Sequence, residues 1–100
     1  MKSFTILVLY TAKNEGDREM FVKELTDKGV LDAIRNEDGC LAYEYYCSYE
    51  DARVLALYEK WESPEHQRVH MTQPHMKAAM EIKGKYIDSV KLKKIEISDL

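Results

Sequence analysis

The first apolar run of the chain occupies both parities. Phe4, Ile6, Val8 and Tyr10 fall on one side and Leu7 and Leu9 on the other, which predicts a strand buried on both faces. A helical period follows, in which Met20, Phe21, Leu25, Leu31 and Ile34 recur at near-helical spacing with Gly29 as a weak point in the middle. Asn14 or Asp17 stands where a cap is needed. Asp38-Gly39, a pair that accepts a positive φ, ends this helix.

Period two returns over Cys40–Tyr49, with Leu41, Tyr43, Tyr45 and Cys47 on one face and Ala42, Glu44, Tyr46 and Ser48 on the other. The polar link Tyr49–Ala52 leads into Arg53–Trp61, where Leu55, Leu57 and Trp61 oppose Val54, Ala56 and Tyr58. Two such strands across a short link form a hairpin. Ser63-Pro64-Glu65 then supplies a capping hydroxyl, a proline where no N–H is needed, and an acid near the positive helix end. That helix is short, because Thr72-Gln73-Pro74 restarts the chain. Pro74 opens another helix, with Met76, Ala79 and Met80 as its apolar stripe and Gly84 as its stop. Tyr86–Ile97 is the last strand.

Strand, helix, strand, strand, short helices, strand is the split β-α-β order of a ferredoxin-like α+β domain with an antiparallel sheet. At 100 residues the chain suits one domain spanning 1–100. It carries no internal repeat, low-complexity stretch or linker. Helices of such a domain cover one sheet face, yet large apolar residues lie on both faces of the first three strands. An exposed apolar sheet face marks a partner site. A second copy packed sheet against sheet is the simplest cover, so a homodimer is expected.

Charge narrows the partners. The formal net charge is -3, and the Lys91–Lys94 region is the only local basic concentration. Without a basic face to neutralise phosphates, nucleic acid is not an expected partner. No segment approaches the roughly 18 apolar residues of a membrane span. The opening Met1–Ile6 runs into the first strand without the length or small-residue cleavage site of a signal peptide. Cys40 and Cys47 lie on one strand, too far apart to bridge, and read as buried, inert thiols. Free thiols without an export signal point to the cytoplasm.

All three histidines and the single tryptophan fall between Trp61 and Met76. His66 and His70 share a helix face, as metal-ligand pairs do, but the helical zinc-protease signature needs a Glu where Gln67 stands. No metal is expected. Neither cysteine opens a helix, no glycine-flanked serine elbow occurs, and no phosphate-cradling glycine motif appears, so a nucleotide cofactor is not expected either. What remains is an aromatic and histidine set, Tyr43, Tyr45, Tyr46, Tyr58, Trp61, His70 and His75. It suits either core packing or a pocket between sheet and helices for a flat aromatic molecule. A histidine near neutrality could take a phenolic proton there.

The stretch from Gly39-Cys40 through Tyr58-Glu59-Lys60-Trp61-Glu62-Ser63 to His70-Met71-Thr72-Gln73-Pro74-His75-Met76-Lys77-Ala78 resembles the antibiotic biosynthesis monooxygenase family. That pattern has Gly-Cys entering the second strand, an acid before a Trp at the end of the third, then spaced histidines and a Pro-His pair opening the last helix. The motif covers about half the chain. Trp-Glu-Ser and Pro-His-Met-Lys-Ala look most like the small quinol monooxygenases. The resemblance implies a ferredoxin-like dimer forming an α/β barrel. It also implies oxidation of a quinol, polyphenol or other small aromatic compound by dioxygen with no metal or organic cofactor. Trp61 would then be a pocket wall, with His70 or His75 the base; together with the aromatic cluster this makes Trp61, Tyr58, Tyr43 and Tyr45 the expected substrate-binding residues. Haem-degrading relatives carry a Trp and, ten residues on, an iron-binding His; the matching positions look like His70 and Met80, so that ligand is missing. Isomerases of small signal metabolites and non-catalytic ligand-binding dimers are the other functions the family offers.

Overall fold

The computed structural model describes residues 3–97; Met1 and Lys2 of the opening segment lie outside them. The element order is β1 (Phe4–Ala12), α1 (Asp17–Asp27), α2 (Val30–Arg35), β2 (Cys40–Cys47), β3 (Val54–Trp61), α3 (Pro64–His70), α4 (His75–Tyr86) and β4 (Ile87–Lys94). The strands form one four-stranded sheet in the order β2-β3-β1-β4, and every pairing is antiparallel. This is the expected ferredoxin-like α+β fold. The sheet is open and does not close into a barrel by itself. Among the described residues no helix is long and apolar enough to cross a membrane.

The core lies between one sheet face and the helices. Ile6, Val8, Tyr10 and Ala12 of β1 and Leu55, Leu57 and Trp61 of β3 are buried there against Phe21, Leu25, Leu31, Ile34 and Ile82. On the opposite sheet face Leu7, Leu9, Val54, Ala56 and Tyr58 are only half-buried. Both parities of β1 and β3 are therefore apolar as read from the sequence, but only one is covered within the chain.

Local chemistry moves several boundaries. The predicted single helix before Asp38 is two. Gly29 adopts φ 75°, and its left-handed backbone separates α1 from α2. Neither Asn14 nor Asp17 caps α1 with its side chain; Gly16 at φ 91° holds that position. Met20, assigned to the buried stripe, is exposed. Gly84 does not stop α4, which runs on to Tyr86, and its carbonyl accepts Lys13 Nζ at 2.8 Å. Met80 is exposed while Ile82 takes the buried place. The last strand is shorter than Tyr86–Ile97.

In β2 the register shifts between Cys40 and Ala42. Leu41 is the inserted residue and is exposed, so it does not share the core face with Tyr43 and Tyr45; Cys40 does. Cys47 is exposed too, against the expectation of a buried thiol, whereas Cys40 is half-buried. The hairpin is fastened from outside. The Arg18 guanidinium on α1 donates to the carbonyls of Ser48, Asp51 and Val54 at 3.2, 2.7 and 2.8 Å. Lys85 and the Tyr86 hydroxyl donate to Glu24 at 2.5 and 2.9 Å, joining α4 to α1.

The entry into β2 depends on Gly39. Its φ is 80°, and a Cβ there would run into the His66 ring at Cδ2. Gly39→Ala should lower stability by at least about 1–2 kcal/mol, the backbone penalty alone. Gly84→Ala, inside a helix with nothing within 4 Å, should raise it by roughly 0.5–1 kcal/mol. Urea unfolding of both variants checks the pair, and a Gly39→Ala protein as stable as the parent would refute the turn assignment.

Candidate active site

A cavity of about 170 Å³ lies between the covered sheet face and the helices. For scale, an engineered apolar cavity of ~150 Å³ holds benzene. Its walls are mostly apolar and aromatic: Ile6, Val8 and Tyr10 from β1, Tyr43 and Tyr45 from β2, Phe21 and Leu25 from α1, Ile34 from α2. Met71, Met80, Val90 and Leu92 are exposed and form its outer side, with Met76 half-buried against the core. Polar groups in the lining are few. They are the three phenols, Glu59, Gln67, His70 and Lys83.

His70, at the last turn of α3, is 2% exposed. Its Nδ1 lies 2.9 Å from Glu37 Oε2, and His75 Nε2 lies 2.6 Å from the same oxygen. Glu37 is itself buried. A carboxylate accepts, so His70 donates through Nδ1, and Nε2 is the ring nitrogen not engaged by Glu37. Among the described residues Nε2 has no side-chain partner, and no nitrogen or oxygen shut off from water there lacks one. In a residue that lines the cavity, Nε2 is thus the nitrogen open to a ligand.

The turn builds this arrangement. Glu37 N–H donates to Ile34 O at 3.0 Å and Cys40 N–H to Glu37 O at 3.2 Å, so the C-terminal end of α2 folds back just before β2. Ser63 Oγ accepts His66 N–H at 3.3 Å, capping α3 as its Ser-Pro start predicts and aiming its last turn at Glu37.

Trp61 is wholly buried and stands behind His70, their rings 4.7 Å apart. Its Nε1–H donates to Glu59 Oε1 at 3.0 Å. Glu59 is 5% exposed, and burial, with the Glu37 charge adding to it, pushes its carboxyl up to about 7 against the pull of the indole hydrogen bond. Burial likewise raises the phenols of Tyr10, Tyr43 and Tyr45, which stay protonated donors at neutral pH. Tyr43 packs edge-on against both Tyr45 and His70, with ring centroids 6.0 and 5.8 Å apart.

The structure thus brings together Tyr43, Tyr45 and His70 on the cavity, with Trp61 behind and His75 joined through Glu37. It does not bring Tyr58 or Tyr46 there. Tyr58 lies on the opposite sheet face, in a cleft with Phe4, Lys60 and Lys94, and Tyr46 is exposed and donates to Glu44 at 3.2 Å. His66 and His70 diverge. His66 lies outside with Nε2 3.5 Å from Asp38 and 3.6 Å from Glu62, while His70 turns inward to Glu37. Glu37, Glu59 and Tyr10 were not picked out as site residues. An acid at the C-terminal end of a helix, and another on the core parity of β3 between Leu57 and Trp61, were the available signals, since each placement is unfavourable without a partner.

A ferredoxin-like domain with one aromatic cavity, a carboxylate-held histidine and a buried acid defines the class of protein. The chain belongs to the antibiotic biosynthesis monooxygenase family, whose sequence profile matches residues 3–82. None of the curated proteins compared matches it. Among solved structures it is similar to PA3566 from Pseudomonas aeruginosa, with 20% identity and a TM-score of 0.81 over 99% of this chain and 97% of that one. It is also similar to candidate antibiotic biosynthesis monooxygenases from Nitrosomonas europaea (20% identity, TM-score 0.78, covering 93% of this chain and 88% of that one) and from Caulobacter crescentus (16%, 0.81, covering 97% and 91%). At these identities the structures establish the shared fold.

Glu59 carries a pH signature. Its folded pKa of about 7 exceeds the 4.5 of a free side chain. Between those values the folded chain keeps a proton that the unfolded chain has lost. Stability is therefore largest below about pH 4.5 on this account and falls as pH rises to about 7. Glu59→Gln should remove that slope and gain roughly 2–3 kcal/mol relative to the parent between pH 5 and pH 8. Denaturant unfolding at both pH values reads it, and parallel pH dependences would refute a buried, proton-holding Glu59.

Proposed function

We propose that this chain is a cofactor-independent monooxygenase that oxidises a small quinol, polyphenol or related aromatic compound with dioxygen. One observation carries the reading: His70, fixed through Nδ1 by buried Glu37, offers its other nitrogen to an apolar, tyrosine-walled cavity that accommodates an aromatic ring. A phenol there would lose its proton to His70 Nε2, leaving an electron-rich phenolate that reduces oxygen. Glu37 holds the imidazole in the basic tautomer and stabilises its protonated form, as the carboxylate does in other carboxylate–histidine pairs. His75 is a positioning residue, since it touches Glu37 and does not line the cavity. Tyr43 and Tyr45 donate to and enclose the substrate, and Trp61 backs the histidine.

The working form we propose is a homodimer. Leu7, Leu9, Ala56 and Tyr58 form an apolar face that the chain's own helices do not cover, and a second copy packed on it would bury Tyr58 at the interface. Together the two sheets would complete the α/β barrel that neither makes alone.

The decisive assay is oxygen uptake by chelator-treated protein with a panel of reduced naphthoquinones and polyphenols, corrected for autoxidation. Protein-dependent uptake is expected to persist, and His70→Gln and Glu37→Gln should each lower kcat by about 10²-fold or more. Saturable binding without turnover would instead mark a ligand-binding protein, and turnover without oxygen consumption an isomerase. For the dimer, light scattering after size exclusion should give twice the chain mass, and Leu9→Glu should give the monomer. A monomeric parent protein would refute the interface.

A further inference from the structure

We infer that Glu59 is a second catalytic residue of this cavity, which protonates the departing oxygen of a substrate-bound peroxide and then takes the ring proton, so that the adduct loses water and not hydrogen peroxide. The inference rests on the monooxygenase reading of the site.

Position is the first argument. Glu59 sits opposite Ile6 on β1 and Tyr43 on β2, on the sheet face that floors the cavity. It is the one carboxyl group in the lining. No cation pairs with it among the described residues, and the Trp61 indole occupies only Oε1. Oε2 is left without a side-chain partner, and no side-chain oxygen shut off from water among those residues lacks one. Oε2 therefore opens into the cavity. An acid buried without a cation is costly as an anion, and the Trp61 indole needs only one of its two oxygens. Holding the indole accounts for Oε1 and leaves Oε2 without a structural use.

Geometry supplies the second argument. Trp61 bonds to Glu59 through its Nε1–H and stacks on His70 with its ring. One fully buried indole thus fixes the spacing between base and acid. The titratable groups that feel Glu59 are the phenols of Tyr10, Tyr43 and Tyr45, the Cys40 thiol and the Glu37 carboxyl, while His70 from α3 and Lys83 from α4 line the same cavity. In this setting the carboxyl still carries its proton close to neutrality.

The chemistry needs such a group. Take 1,4-naphthohydroquinone as the substrate. His70 removes one O–H proton, the ring carbon next to that oxygen bonds to dioxygen, and the protonated histidine returns the proton to give a hydroperoxide. Two exits follow. Loss of hydrogen peroxide breaks the C–O bond and gives 1,4-naphthoquinone. Alternatively the O–O bond breaks, its electron pair leaves with the outer oxygen, and the ring C–H pair becomes the new C=O bond, giving 2-hydroxy-1,4-naphthoquinone and one water. The second exit needs a proton at the outer oxygen and a base for the ring proton. Protonated Glu59 supplies the first and its carboxylate accepts the second, so the residue returns to its starting state. Quinol plus dioxygen equals hydroxyquinone plus water, with no further reductant.

The test is product partition with 1,4-naphthohydroquinone, measuring hydroxynaphthoquinone, naphthoquinone and hydrogen peroxide per oxygen consumed, above the autoxidation background. The parent protein should give hydroxynaphthoquinone. Glu59→Gln, which keeps an acceptor for the indole, should give at least tenfold less hydroxynaphthoquinone per oxygen consumed, the balance appearing as naphthoquinone and hydrogen peroxide. A Glu59→Gln protein with the parent's partition overturns the inference and leaves the monooxygenase reading standing. No protein-dependent uptake by the parent overturns both. Should the variant not fold, the parent alone decides: its hydroxynaphthoquinone yield per oxygen should fall as pH rises past 7, and a yield flat from pH 6 to 9 overturns the assignment.

Discussion

Two imidazoles sharing one buried carboxylate are the constraint on which the rest of this site depends. The Glu37 side chain lies beneath the surface, and His70 and His75 both direct a ring nitrogen at the same oxygen, which satisfies it there. Those histidines arrive from two different helices, so the carboxylate also sets where α3 ends and α4 begins. The turn that carries Glu37 closes through Gly39, whose bare Cα lets the His66 ring pass over it. Backbone conformation, helix placement and the tautomer of His70 are therefore one coupled arrangement.

The fold was legible because alternation in the strands and the Ser-Pro and Thr-Gln-Pro signals are local, and local signals survive without knowledge of the partner. Boundaries failed where a glycine decided them. Gly29 split a helix that apolar spacing had joined, and Gly84 was carried through a helix that it was expected to end. Strict alternation also misread Leu41, since an inserted residue in β2 shifts parity and no pattern of apolar positions announces it.

The site was half legible. His70, Tyr43 and Tyr45 meet in space as their clustering suggested. Tyr58 does not join them, because its place in β3 puts it one residue from Glu59 and hence on the other face. Glu37 was missed for a different reason, since its position hinted at a partner without saying which. Its partners lie 33 and 38 residues away, and pairing over that distance is written in the topology. The comparisons place the chain in its family through residues 3–82, while the burial of the acids is seen only in three dimensions.

Strand β3 has a consequence of its own. Its odd-numbered positions, Leu55, Leu57, Glu59 and Trp61, face the core, with Glu59 reaching the cavity; its even-numbered ones, Val54, Ala56, Tyr58 and Lys60, face away. Eight successive residues thus encode two surfaces by turns. The core-facing and outward surfaces can therefore drift separately under point substitution, because a change at one parity leaves the other untouched. A single inserted or deleted residue would have the opposite effect and exchange the two surfaces wholesale. In this strand evolution is free to substitute and barred from slipping.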